Sequence, residues 1–181
     1  MTPLTIMRLM RLEDIPQVVH IDELSFPTPW SARTYEFEIN NRDTSHLVVL
    51  EIANHNEPRA RGFKSMFHWL TGSRSFSSPI VGYGGCWLIA GEAHISTIAV
   101  HPTYRGLGLG ELLLAGMLQR SINLGGEYSV LEVRIGNTSA QALYHKYEYA
   151  IVGRRQGYYR DNGEDAYLME VRPLDHAYQQ R

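Results

Sequence analysis

The chain has 181 residues, 44% of them hydrophobic and 20% charged, which is enough apolar material to bury a core and too much to remain disordered. Seventeen Lys and Arg against nineteen Asp and Glu leave a formal charge of -2, which excludes a broad electrostatic grip on nucleic acid. No apolar run reaches the roughly 18 residues that span a bilayer, residues 1–10 lack the charged, apolar and small-residue succession of a secretory signal, and Cys86 is the only cysteine. The expectation is therefore one domain over residues 1–181, in a reducing cytoplasm, without an internal disulfide or a membrane partner.

In chain order, Leu4 to Met10 alternates and predicts a strand, and Glu13 to Leu24 places Ile15, Val18 and Val19 at helical spacing. Ser25 to Ser31 carries two prolines in SFPTPWS and reads as a loop, with Ser31 capping a second helix that runs to about Asn40. Ser45 to Ala53, Ile80 to Ala90 and Ala93 to Val100 predict three strands of an antiparallel meander, the last two joined at Gly91. Gly108 to Leu124 reads as a long helix with Leu109, Leu112, Leu113, Gly116 and Met117 on one face. Tyr128 to Arg134 is a strand, Asn137 to Tyr147 a short amphipathic helix, and two closing strands flank the turn-forming Asp161 to Gly163. The order is mixed α/β. Asn54 to Pro79 interrupts it as an insertion, with Arg59, Arg61, Lys64 and Arg74 against Glu57 and an apolar stripe of Phe63, Met66, Phe67 and Leu70. A flexible loop and a partner-docking helix both fit that composition.

The sharpest local feature is Arg105-Gly106-Leu107-Gly108-Leu109-Gly110, set between a strand ending at Val100 and a helix. Amides opening a helix have no intrahelical partner, and the helix dipole favours an anion there, so a phosphate-bearing ligand suits the position. A glycine turn that only lets helix and sheet pack closely fits equally. The run lacks a Walker ending, and the strand hairpin before it is wrong for a dinucleotide fold. Asn137, followed by Thr-Ser-Ala, reads as a helix cap. Glu132 lies opposite in parity to Leu131 and Val133, on a face open either to solvent or to a cleft. Tyr144 falls with Ala140, Leu143 and Tyr147 at core-stripe spacing. Phe26, Pro29, Trp30, Tyr158 and Tyr159 could wall a slot or simply anchor loops. Cys86 reads as a small buried apolar group, and the eight His show no ligand spacing, so no metal is assigned.

With Arg105, Gly108 and Gly110 matching an Arg-x-x-Gly-x-Gly signature, the sequence resembles the GCN5-related N-acetyltransferase (GNAT) family over nearly its whole length apart from the insertion. Pro29-Trp30-Ser31, Ile98-Ala99-Val100, Leu131-Glu132-Val133-Arg134 with Asn137, Leu143-Tyr144, Tyr158-Tyr159 and Gly163-Glu164-Asp165-Ala166 resemble, in order, its ribosomal-protein alanine N-acetyltransferase branch. The resemblance implies a GNAT fold, a mixed sheet of about seven strands with about four helices, splayed at strands 4 and 5. It implies transfer of acetyl from acetyl-CoA to a protein's α-amino group, with a ribosomal protein starting in alanine as the class of acceptor. It places acetyl-CoA against Ile98, Ala99, Val100 and the loop Arg105, Gly106, Leu107, Gly108, Leu109, Gly110 and Glu111, with Asn137 beside it. It makes Glu132 the general base and Tyr144 the acid, and it gives Phe26, Pro29, Trp30, Tyr158 and Tyr159 to the acceptor peptide. The base role requires burial to raise the Glu132 carboxylate toward neutrality. A backbone amide near Ala99 or Val100 could hold the oxyanion. A lysine or small-amine acceptor, or a non-catalytic acetyl-CoA-binding module, also fits the cofactor half of the pattern. Gly106 stands where a second basic residue is common, and Glu148-Tyr149 replaces the usual Gly-aromatic pair, so a different end is expected for the last helix.

Overall fold

The computed structural model describes residues 4–53 and 78–178. The insertion expected at 54–79 therefore lies almost wholly outside the described residues. Strand β1 (Thr5–Leu9) is followed by a 3-10 turn, helix α1 (Ile15–Ser25) and helix α2 (Ala32–Asn40). Strands β2 (Ser45–Ile52), β3 (Ile80–Ile89) and β4 (Glu92–Val100) lead into helix α3 (Leu109–Asn123). Strand β5 (Tyr128–Arg134), helix α4 (Thr138–Lys146) and strands β6 (Ala150–Tyr159) and β7 (Glu164–Val171) complete the order. The seven strands form one sheet in the order β1-β2-β3-β4-β5-β7-β6, antiparallel except for the β4/β5 pair.

Local chemistry accounts for several boundaries. The Ser31 hydroxyl accepts from the Thr34 amide at 3.2 Å and starts α2, and Asn137 does the same for α4 through the Ala140 amide at 3.1 Å. Ala90 and Gly91 both take positive φ, as a tight turn between β3 and β4 demands. The sheet buries side chains on both faces. On one, Leu113 and Met117 of α3 and Tyr144 of α4 pack with Val81, Leu131, Val133 and Met169 of the sheet; on the other, α1 and α2 cover Val49, Tyr83 and Ala99. The buried face of α3 includes Leu114, Leu118 and Ile122, whereas Leu112 is 43% exposed. The helix is rolled so that Leu113 and Met117 centre the contact, which turns the neighbouring Leu112 outward and corrects the expected face.

The end of α4 is a second correction. Glu148 has φ +61. The Tyr149 amide donates to the Tyr144 carbonyl at 3.1 Å and the Glu148 amide to His145 at 3.0 Å, while the Tyr144 and Tyr149 rings meet at 5.8 Å. These are the paired bonds and the apolar contact of a Schellman ending, so glutamate adopts the left-handed turn that glycine would take freely. The burial of Tyr149 against Tyr144 holds it there. Glu148→Gly is expected to relieve about 1 kcal/mol of strain and raise Tm by roughly 2–4 °C in thermal denaturation. An unchanged or lower Tm would show that the glutamate side chain offsets its backbone cost.

Candidate active site

The site is created where two parallel strands part. Strands β4 and β5 pair only from Glu92↔Tyr128 to Ile95↔Leu131. At that point β4 carries an extra residue: Gly85 pairs with Thr97 and Cys86 with Ile95, which leaves Ser96 as a bulge. A bulge bends its strand and sharpens its twist. Beyond it Thr97–Val100 stays with β3 while Glu132–Arg134 stays with β7, so the sheet opens between Ile98–Val100 and Glu132. Because β4 and β5 are parallel, the N-termini of α3 and α4 that follow them stand at the same end of this opening.

The glycine loop occupies that end. Gly106 and Gly108 have φ +76 and +77, and a Cβ at either would meet nothing within 4 Å. Their requirement for glycine is thus conformational, and the space beside them is not filled by protein. The first helical bond of α3 runs from the Leu112 amide to the Gly108 carbonyl at 3.0 Å, so the amides of Leu109, Gly110 and Glu111 precede the helical ladder. An open turn of this kind at a helix N-terminus fits a phosphate-bearing ligand. The Arg105 side chain makes two contacts within the protein. Its Nε donates to the Val100 carbonyl at 3.0 Å and its Nη2 to Ser25 Oγ at 3.0 Å, tying the loop to β4 and to the end of α1. The Glu111 carboxylate pairs with Lys146 Nζ at 2.6 Å and links α3 to α4. Leu107 is exposed at the loop tip and Leu109 buried beneath it.

Glu132 is in a cleft, with its side chain 6% exposed. Oε2 lies 2.7 Å from His94 Nε2, on β4 across the start of the opening. Oε1 lies 2.9 Å from Arg155 Nη2 on β6, an ion-pair distance, yet no N–H is directed at it, so Oε1 is a buried acceptor without a hydrogen bond. The expected rise of this carboxylate is reversed. The His94 hydrogen bond outweighs burial, the charges of His94 and Arg155 add to it, and the Glu132 pKa is held below the usual carboxylate range. His94, Arg155 and the Ser96 bulge are the residues that sequence reasoning missed. Only the parity of His94, opposite to the buried Ala93 and Ile95, hinted that it shares a face with Glu132.

Tyr158 and Tyr159 are brought to Glu132 by an irregular β6/β7 hairpin. Arg155 pairs with Ala166 and Tyr159 with Glu164, leaving three β6 residues opposite Asp165, whose carboxylate accepts from the Gly157 amide at 2.7 Å. Burial and the Glu132 charge both raise Tyr158, which is 42% exposed with the Arg155 guanidinium 5.6 Å from its ring. Tyr159 is pushed up to about 12, chiefly by burial, and lies under the Arg134 guanidinium at 3.8 Å. Tyr144 is buried in the α3-side core, as its helical stripe predicted, and burial with the nearby Tyr159 raises its pKa above the ordinary phenol value.

The loop aromatics approach from the opposite side. Trp30 stacks on Trp87 at 6.4 Å, and Trp87 meets His94 edge-on at 5.5 Å, forming a chain of rings that ends on Glu132. Phe26 packs into the α1/α2 core, whereas Pro29 is exposed on the loop. Asn137 caps α4, and Cys86, on β3, is buried in the core with its thiol pushed up to about 11 by desolvation, as a structural cysteine should be. No helix among the described residues is long and apolar enough to cross a membrane.

Comparison with known proteins agrees with this arrangement. Residues 15–149 match the Acetyltransferase (GNAT) family. A Bacillus subtilis (strain 168) protein described as a candidate ribosomal protein bS18-alanine N-acetyltransferase is 34% identical over 164 residues, spanning 91% of this chain and 93% of that protein. An N-alpha-acetyltransferase of Saccharolobus solfataricus is 30% identical over 173 residues, 93% of this chain and 92% of that one. The crystal structure of the ribosomal-protein-S18-alanine N-acetyltransferase from Escherichia coli shares the fold with a TM-score of 0.74 at 23% identity, covering 95% of each chain. With its split sheet, its glycine turn and this family match, the chain belongs to the GNAT acetyltransferase family and is an acetyl-CoA-dependent N-acetyltransferase.

Proposed function

We propose that this enzyme acetylates the α-amino group of a cytoplasmic protein, with an alanine-starting ribosomal protein as its acceptor. The observation that carries this reading is the buried Glu132 Oε1, an ionised acceptor atom without a hydrogen bond, beside the opening between β4 and β5. The relatives named for ribosomal-protein and N-alpha acetylation support the choice of a chain terminus over a small amine.

Acetyl-CoA supplies an activated acyl thioester, and the glycine-loop amides from Gly106 to Glu111 with the β4 edge at Ile98–Val100 would hold it. An α-ammonium has a pKa of about 8, so at neutral pH most acceptor termini must lose a proton before they can attack. Held below the usual carboxylate range by His94, Glu132 is a weak base rather than the burial-raised one expected; it attracts the ammonium and accepts a proton at Oε1 as the C–N bond forms and the nitrogen grows more acidic. Tyr144 stays protonated because burial raises its pKa, so its hydroxyl serves as a hydrogen-bond donor to the departing sulfur rather than as a strong acid. Tyr158 and Trp30 flank the acceptor on either side of Glu132.

Purified enzyme incubated with acetyl-CoA is expected to acetylate peptides with a free N-terminal alanine and to spare N-blocked peptides that contain lysine, as read by mass spectrometry. Transfer to the lysine peptides alone would remove the N-terminal assignment. Tyr144→Phe should lower kcat by about tenfold or more with little change in the KM for acetyl-CoA. An unaltered kcat would leave Tyr144 a purely structural core residue.

A further inference from the structure

We propose that His94 is a positioning residue for this reaction, holding Oε2 of Glu132 so that Oε1 is the oxygen that receives the acceptor's proton. The inference rests on the proposed base role of Glu132 and extends it to a residue on a different strand. His94 Nε2 and Glu132 Oε2 are 2.7 Å apart across β4 and β5, close to where pairing between the two strands ends. A carboxylate at the mouth of a split has one supporting strand fewer than usual, and without a tether its plane is free to turn. The imidazole supplies the tether. It is itself fixed by the edge-on Trp87, whose indole N–H donates to Glu38 Oε2 at 2.8 Å on α2.

The groups that face this pair are few. Arg155 stands at Oε1, Tyr158 and Tyr159 lie within electrostatic reach from β6, and Glu38 is held behind Trp87. Arg155 is half-exposed and lacks a directed hydrogen bond to Oε1, so an incoming ammonium can replace it there. His94, three-quarters buried, stays in place. The division of labour follows from geometry: one oxygen is anchored to the fold and the other is left for the acceptor. Proton balance is simple. The ammonium N–H bond breaks, Oε1–H forms, and Oε2 keeps its bond from Nε2–H throughout.

The test compares His94→Phe, which keeps a flat ring against Trp87, with His94→Gln, which restores a neutral N–H donor at similar reach. Two readouts are used on the intact enzyme. The first is the Glu132 carboxyl titration by carbon NMR, with the resonance assigned by its absence in Glu132→Gln. The second is the pH profile of kcat/KM for an alanine-starting peptide. In His94→Phe the Glu132 titration and the acid limb of the profile are expected to move together to higher pH, and kcat/KM to fall between about tenfold and a hundredfold, with KM for acetyl-CoA unchanged. His94→Gln should recover most of both. An unmoved Glu132 titration in His94→Phe, or a His94→Gln no better than His94→Phe, would overturn the proposal. A titration that moves without any change in rate, while Glu132→Gln is inactive, would overturn it as well. Full turnover by Glu132→Gln would instead sink the base assignment and leave the measured coupling between the two side chains standing.

Discussion

Glu132→Gln is expected to reduce kcat with an alanine-starting peptide by about 10²–10⁴-fold at pH 7, the usual contribution of a positioned general base. Glutamine has the same shape, and its amide oxygen can still accept from His94, so the opening between the strands and the binding of acetyl-CoA should be preserved. The deficit should narrow above a pH of about 8, where the acceptor amine is already free of its proton. The pH dependence of the unaltered enzyme follows from the sign of the Glu132 shift. Its carboxylate pKa is lowered, so Glu132 is ionised throughout the neutral range, and activity is lost on its account only as pH falls through that depressed value. The rise of rate from pH 6 to 8 then belongs to the acceptor's ammonium. The same shift stabilises the fold above the ordinary carboxylate range, and this contribution disappears as pH falls through the folded-state value. Steady-state rates across this pH range, with acetyl-CoA binding followed by calorimetry, check the whole set. A variant with unchanged kcat at pH 7 would transfer the proton to some other group.

Where function is encoded locally, the residues announced it. Ser31 and Asn137 cap their helices through their own side chains, Gly91 turns a hairpin, and Gly106 and Gly108 take the left-handed backbone that their identity permits. The strand containing Glu132 could be read with the correct facing, because alternation with Leu131 and Val133 needs only neighbours. What could not be read depends on partners distant in sequence. The widening of the sheet depends on a single bulged serine, whose presence is visible only once Gly85 is set against Thr97 and Cys86 against Ile95. The sign of the Glu132 shift depends on His94, 38 residues earlier, and nothing in the β5 sequence specifies that the imidazole will be in reach. Arg105 matches a phosphate-loop signature, yet its guanidinium is spent on the Val100 carbonyl and Ser25, 80 residues away, because α1 ends beside the loop. Glu148 shows the converse case, in which a local rule is overridden by tertiary burial of the next residue, Tyr149.

Asp22→Ala is expected to be the most damaging single change to the acceptor side of the site, although Asp22 lies outside the cleft. Its carboxylate is 2% exposed, accepts the backbone N–H of Trp30 at 2.5 Å, and takes the hydroxyl of Tyr83 in a short hydrogen bond. Three elements meet on it: α1, which carries it, the loop that presents Trp30, and β3 with Tyr83. Removing the carboxylate orphans the Trp30 amide, at about 1–3 kcal/mol, and leaves the Tyr83 hydroxyl only its neutral neighbours Thr97 and Tyr35, so roughly 2–5 kcal/mol of stability should be lost. For a chain of this size that is a fall in Tm of about 5–15 °C in thermal denaturation. Asp22→Asn keeps one acceptor oxygen and should lose about half as much. Because Trp30 stacks on Trp87, which in turn meets His94, a loosened Trp30 loop should weaken acceptor binding more than acetyl-CoA binding. Below its own Tm, the Asp22→Ala variant is therefore expected to show a raised KM for the peptide, a nearly unchanged KM for acetyl-CoA, and a reduced near-ultraviolet tryptophan dichroism. A Tm within about 1 °C of the unaltered protein would mean that water replaces the carboxylate without loss, and that the loop is held by its ring contacts alone.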